Sequence, residues 1–287
     1  MTVVLPDPEA DRWYSMAVFG FWLRHREALE AMPPKVPEGL VAEQESFRRL
    51  GWELTVLESD LANCVHELYT AFESLYADPN VLFRKKFAVV YHIDNFYVRV
   101  HKLIDNLYRL VAMVADIEPR ARDAQFRREL KMALMRKGIK AIAELLRTLE
   151  KKKWIRQAKD ARNLFVHLYR DEPKWPMLSP RERFYQSVGG YDDLAEQTCQ
   201  ITDPDRLDHY AERKAEELLQ TLSVIREFRD QLHDAFVENL VQLTSTMSAE
   251  VQEFVRHATD LYLQDILEDL GEVVEPPLDD VGGSVPG

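Results

Sequence analysis

Apolar residues recur at three and four positions through nearly the whole of this sequence, and no stretch alternates with the period of a strand. That spacing puts a continuous apolar stripe on helix after helix, and such stripes can only be buried against one another. Leu54, Leu57, Leu61, Val65, Leu68 and Phe72 form one stripe. Val89, Ile93, Phe96, Val100, Leu103, Leu107 and Leu110 form another. The expectation is an all-α protein, an antiparallel multi-helix bundle with long helices.

Breakers divide the pattern. A first helix spans about 9–32 and stops at Pro33, Pro34 and Pro37. A second covers about 40–76, and Asp78-Pro79-Asn80 is a turn before a third, about 81–115. A fourth runs from about 120 to 137, with Gly138 as an interruption before helical spacing resumes to 149. A shorter helix covers about 154–169 and ends at Pro173 and Pro176. Asp203 reads as the N-cap of a long helix to about 243, and Ser248 opens another to about 270. The expected domain layout is an N-terminal helical extension over 1–77, the main bundle over 78–245, a C-terminal helix over 246–271, and a disordered acidic tail over 272–287. Ten glycines in 287 residues fit a chain with few tight turns.

The formal charge is −12, which by itself argues against a polyanionic ligand. The charge is unevenly placed, however. Between Arg120 and Lys174 there are 17 Lys/Arg and 7 Asp/Glu, a balance of +10, so the rest of the chain carries −22. A basic stretch inside an acidic protein points to an anionic partner or to a set of solvated basic helix faces. Cys64 and Cys199 form no CxxC and read as reduced thiols of a cytoplasmic protein. No signal peptide is read, and the apolar run Trp13–Leu23 is about half the length of a membrane span, so no membrane partner is expected.

Inside the basic stretch lies Arg162-Asn163-Leu164-Phe165-Val166-His167. Asn163 and His167 are one turn apart and share a face. Arg162 stands about 140° from His167, within reach of the same groove through its long side chain. Leu164, Phe165 and Leu168 would anchor the helix. These residue types suit RNA cleavage. A histidine can take the proton of a ribose 2′-hydroxyl near neutral pH, and a guanidinium matches the phosphate oxygens of the transition state. An asparagine can orient the imidazole. The nucleophile is already in the substrate, so no metal and no cofactor is expected. Lys151, Lys152, Lys153, Arg156, Lys159 and Arg170 flank the motif as an RNA-binding patch or as an ordinary solvated helix start.

The order Arg-polar-x-x-x-His near the end of a helical bundle resembles the signature of the HEPN superfamily, with Asn163 at the position that typically holds Asn, Asp or His. The helix segment Tyr91–Val100 is also similar to helices of such bundles. The resemblance covers about 81–243 and leaves the first 80 residues unexplained. It implies a metal-independent endoribonuclease working as a homodimer, both motifs lining one cleft, with Arg162, Asn163 and His167 as the catalytic residues. Some relatives are toxin or anti-phage defence components, which implies an antitoxin or nucleotidyltransferase partner. Others are inactive, so a non-catalytic adaptor binding RNA or a protein is the alternative. A dimer also answers a chemical need, since one motif supplies one histidine and cyclising cleavage uses a base and an acid.

Spacing alone is weak. With 24 Arg and eight His, about two Arg-x(4–6)-His matches arise by chance, and there are two. The second, Arg226 to His233, has Glu227 after the arginine and lies in an acidic helix. Arg162 to His167 stands out because Asn163, the helix and the basic stretch coincide there. No histidine has a glutamate three residues before it, which argues against a di-iron bundle. Asp192-Asp193-Leu194-Ala195-Glu196 faintly resembles an aspartate-rich Mg²⁺ motif but reads as a charged helix start. His66, His92 and His101 read as core histidines.

Overall fold

A computed structural model describes residues 11–30, 38–70, 81–117, 124–159 and 204–253. The elements are α1 (Asp11–Arg24), α2 (Arg26–Glu30), α3 (Glu38–Thr70), α4 (Val81–Val114), α5 (Ala124–Arg136), α6 (Lys140–Leu149), α7 (153–159) and α8 (Pro204–Thr244), followed by a helical turn at 249–253. The protein is all-α, and no strand occurs among the described residues.

The stripes read from the sequence are the faces that meet. Leu54, Leu57, Leu61, Val65 and Leu68 of α3 are buried, as are Val89 through Leu110 at the seven positions of the α4 stripe. Phe72 lies outside the described residues. On α8, Ala211, Ala215, Leu218, Leu222 and Ile225 follow the same spacing into the same core.

α1 differs, because every residue from Trp13 to Leu23 is buried, the glycine at position 20 included. A helix apolar all round belongs in the middle of a bundle. It packs against α3, α4 and α8, and its residues join one continuous core with those of α5, α6 and α7. The approach to α3 is close. A methyl group on Gly51 would come within 2.9 Å of the Tyr14 Cα and 2.7 Å of the Ala17 Cβ, so a side chain there would push the two backbones apart.

Polar side chains lock the same helices. Glu58 and Arg229 are 1% and 0% exposed. Glu58 accepts from Trp13 Nε1 at 2.6 Å, Arg226 Nε at 2.9 Å and Arg229 Nη1 at 2.7 Å. Arg229 Nε also donates to Asp230 at 2.9 Å, and Asp230 meets Arg12 at 2.6 Å. Burial alone would raise the Asp230 carboxyl, but the guanidiniums of Arg12 and Arg229 outweigh it and hold the group below its ordinary range. Three helices, α1, α3 and α8, thus meet on one charge cluster.

Two helix ends explain where the sequence pattern breaks. α5 stops at Gly138, whose φ of +82° completes a turn in which Gly138 N–H donates to Met135 O and Ile139 N–H to Leu134 O. This pairing is a Schellman cap, and glycine takes that φ without strain. α4 stops in the same manner at Asp116, φ 53°, with Ile117 N–H on Ala112 O. The expected single helix over 9–32 instead turns at His25. No breaker stands there. Arg24 donates to Met113 O at 3.0 Å and pairs with Glu43 and Asp116, while His25 Nε2 lies 3.2 Å from Glu43. Tertiary contacts hold the joint that local sequence would have left straight.

Candidate nucleic-acid interface

The basic stretch sorts into cations that the fold uses and cations that it leaves in solvent. α5 and α6 run back to back from the Gly138 turn, which brings Lys131 Nζ to 2.6 Å from Glu150. Tyr108 donates to the same carboxylate at 3.0 Å, and Arg127 lies over the Tyr108 ring at 4.7 Å. Burial and the Glu150 carboxylate push the Tyr108 phenol well above its usual range, so it stays a donor. Arg147 pairs with Glu144 one turn away. Lys131, Tyr108, Arg127 and Glu150 tie α4 and α5 to the end of α6, while the Arg147–Glu144 pair stays within α6.

Arg128, Arg136, Lys137, Lys140, Lys151, Lys152, Lys153, Arg156 and Lys159 are exposed. None of them has an ion-pair partner among the described residues. Of these, Arg128, Arg136, Lys137 and Lys140 are not marked out by the sequence. Lys131 and Arg127, which look the same in a charge count, differ from them by meeting Glu150 at the end of α6 and the Tyr108 ring of α4.

α6 ends in a tight turn, with Lys151 N–H on Thr148 O and Lys152 N–H on Leu149 O. α7 then begins. Trp154, Ile155 and Ala158 are buried in the common core, so Arg156 and Lys159 lie on the outer side. Leu164, Phe165 and Leu168, the residues expected to anchor the helix, lie outside the described residues. Arg162, Asn163, His167 and Arg170 lie outside the described residues, as do Asp192–Glu196, Cys199 and the Asp203 cap.

The second Arg/His pair is committed elsewhere. Arg226 is bound to Glu58, and His233 packs its ring 5.7 Å from Phe19 beside Asp234. Burial holds the His233 imidazole below its ordinary value. His92 is half-buried and lowered by burial as well, and His101 sits 3.5 Å from Asp105. His66, expected in the core, is instead exposed on the outer face of α3, because its position falls one residue past the buried Val65. Cys64 is buried, which raises its thiol to about 11 and keeps it protonated.

A cleft of about 560 Å³ opens where the α1–α2 joint, the α5–α6 turn and the end of α8 meet. Lys137, Gly138 and Ile139 line one wall, and Asn239, Gln242 and Leu243 another. Among the described residues, no helix is long and apolar enough to cross a membrane.

Residues 80–202 match the model of the family described as Cthe2314-like HEPN. No curated protein and no solved structure matches the chain. The matched stretch contains α4 to α7, the exposed lysines 151–153 and the Arg162–His167 motif; α1, α3 and α8 lie outside it.

Proposed function

We propose, from the membership of residues 80–202 in the HEPN superfamily, that this chain is a metal-independent endoribonuclease with Arg162, Asn163 and His167 as its catalytic group. The observation that carries the reading is the row of cations without an ion-pair partner among the described residues, on the segment leading into the motif. Lys151, Lys152, Lys153, Arg156 and Lys159 face solvent within the matched stretch, while the buried side of α7 fixes the helix to the core. Charges held in solvent without partners suit phosphates, which neutralise them on binding.

In the proposed reaction the 2′-oxygen forms a bond to the adjacent phosphorus and the bond from phosphorus to the 5′-oxygen breaks. His167 takes the 2′-hydroxyl proton, Asn163 orients the imidazole, and Arg162 stabilises the charge on the phosphorane. The copy of His167 in a second chain of a homodimer returns a proton to the leaving 5′-oxygen. The products are a 2′,3′-cyclic phosphate and a 5′-hydroxyl. A role as a toxin or in phage defence, with an antitoxin or nucleotidyltransferase partner, belongs to the same proposal.

The test is cleavage of single-stranded RNA by the purified full chain in excess EDTA. Cleavage with cyclic phosphate ends, an intact all-deoxy strand, and loss of activity in His167→Ala are the expected results. Dependence on a divalent ion, or equal cleavage by the variant, sinks the mechanism. RNA binding without cleavage would instead identify a non-catalytic adaptor.

A further inference from the structure

The outer face of α5 carries more than charge. Arg128, Met132, Met135 and Arg136 fall within about 100° of one another around the helix. Met132 and Met135 are 47% and 45% exposed, while the neighbouring Leu130 and Leu134 are fully buried. Two exposed methionines between arginines that have no ion-pair partner among the described residues form a surface that takes up apolar side chains and negative charge together. Lys137 and Lys140 extend it around the Gly138 turn, with Glu129, hydrogen-bonded to Gln125, at its border.

The end of α8 lies next to the Lys137–Gly138 end of this surface. Asn239, Gln242 and Leu243 share a cleft with Lys137, Gly138 and Ile139, so α8 finishes against the α5–α6 turn. Met247 and Val251 then pack back onto the core, with Gln252 Nε2 donating to Met247 O at 3.1 Å. The remaining residues, 254–287, lie outside those described and hold eight carboxylates between Asp260 and Asp280 against the single cation Arg256, a net of −7. Apolar residues such as Ile266, Leu267, Leu270, Val273 and Val274 are interleaved with Glu268, Asp269, Glu272 and Glu275. From Glu253 to Glu268, 15 residues span roughly 22 Å as a helix and up to about 50 Å extended. The 13-residue α5 is about 20 Å long, a span of the same order.

We propose that the acidic, apolar segment around Glu268–Glu275 docks in cis on the face formed by Arg128, Met132, Met135, Arg136, Lys137 and Lys140, and shields those cations from polyanions. Its carboxylates complement the cations, its aliphatic residues cover the methionines, and its attachment point keeps its effective concentration high. Such docking holds whether or not the chain is a ribonuclease.

Zero-length carbodiimide crosslinking of the dilute full chain tests it. Amide links from Lys137 and Lys140 to carboxylates between Glu268 and Asp280 are expected, within one molecule and reduced several-fold in about 1 M salt, where screening is nearly complete beyond a few ångströms. The full-length variant Glu268→Gln/Asp269→Asn/Glu272→Gln/Glu275→Gln should lose most of those links. It should also bind a single-stranded poly-A probe several-fold more tightly than the parent at low salt. Links absent, unchanged by salt, spread equally to Lys102 and Lys214, or formed between isotopically distinct molecules would overturn the proposal. So would unchanged poly-A affinity in the variant.

Discussion

The cluster joining α1, α3 and α8 and the edge formed by α5, α6 and α7 are built from the same residue types, and they do opposite things with them. In the first, Glu58, Arg226, Arg229, Asp230 and Arg12 are mutually paired, and the central two are fully buried. In the second, nine cations stand in solvent without an ion-pair partner among the described residues. A buried charge is tolerable only when it is paired and hydrogen-bonded, so removing one member strands the others. An exposed cation is hydrated and loses little when removed, yet it is available to a partner. Arginine count therefore says nothing about role until burial and pairing are known.

Breaking the buried side of the comparison has the largest expected effect. Glu58→Ala leaves Arg229 buried without its carboxylate and should destabilise the fold by about 3–5 kcal/mol in urea denaturation. A loss below about 1 kcal/mol would mean that the cluster is a bystander. Gly51→Ala, at the crossing of α1 and α3, should cost about 1–3 kcal/mol by overpacking. An equally stable variant would show that the helices separate cheaply.

Acid should sharpen the contrast. Burial holds His92 and His233 below their ordinary 6.5, so the unfolded chain binds those protons first. Stability is complete above about pH 6.5 and falls as pH drops from there through the lowered folded-state values. Asp230 acts at a lower pH. Its folded value lies below the ordinary 3.8, so its contribution is present above that value and is lost as pH falls further. Urea midpoints against pH should decline in these two stages, the first shallower in His233→Leu. A midpoint that rises on acidification contradicts both assignments.

The exposed edge should show the smallest change in stability and a specific change in binding. Lys151→Ala/Lys152→Ala/Lys153→Ala should leave the unfolding midpoint nearly unmoved. If these lysines meet RNA, the slope of log affinity against log salt should fall by about 0.7 for each phosphate that is no longer neutralised. An unchanged slope removes them from the interface.

The stripes of α3 and α4 and the stop at Gly138 were legible in the sequence, because period and turn chemistry are local. The joint at His25 was not, since Arg24 and His25 are held by Glu43, Asp116 and the Met113 carbonyl rather than by neighbours in the chain. His66 was misread because one residue of rotation separates a buried from an exposed position on α3. The motif itself was legible as a pattern, and the family match covers it, while its side chains lie outside the described residues.

The sequence by itself determined an all-helical chain, its main helix faces and a basic stretch around Arg162–His167. Only the tertiary structure decided which described cations in that stretch are paired within the fold and that α1 forms the middle of the core. Those outcomes depend on pairs such as Lys131 with Glu150 and Arg229 with Glu58, 19 and 171 residues apart. Helical period specifies which side of a helix is apolar, but the partner that side meets is set by how the helices pack.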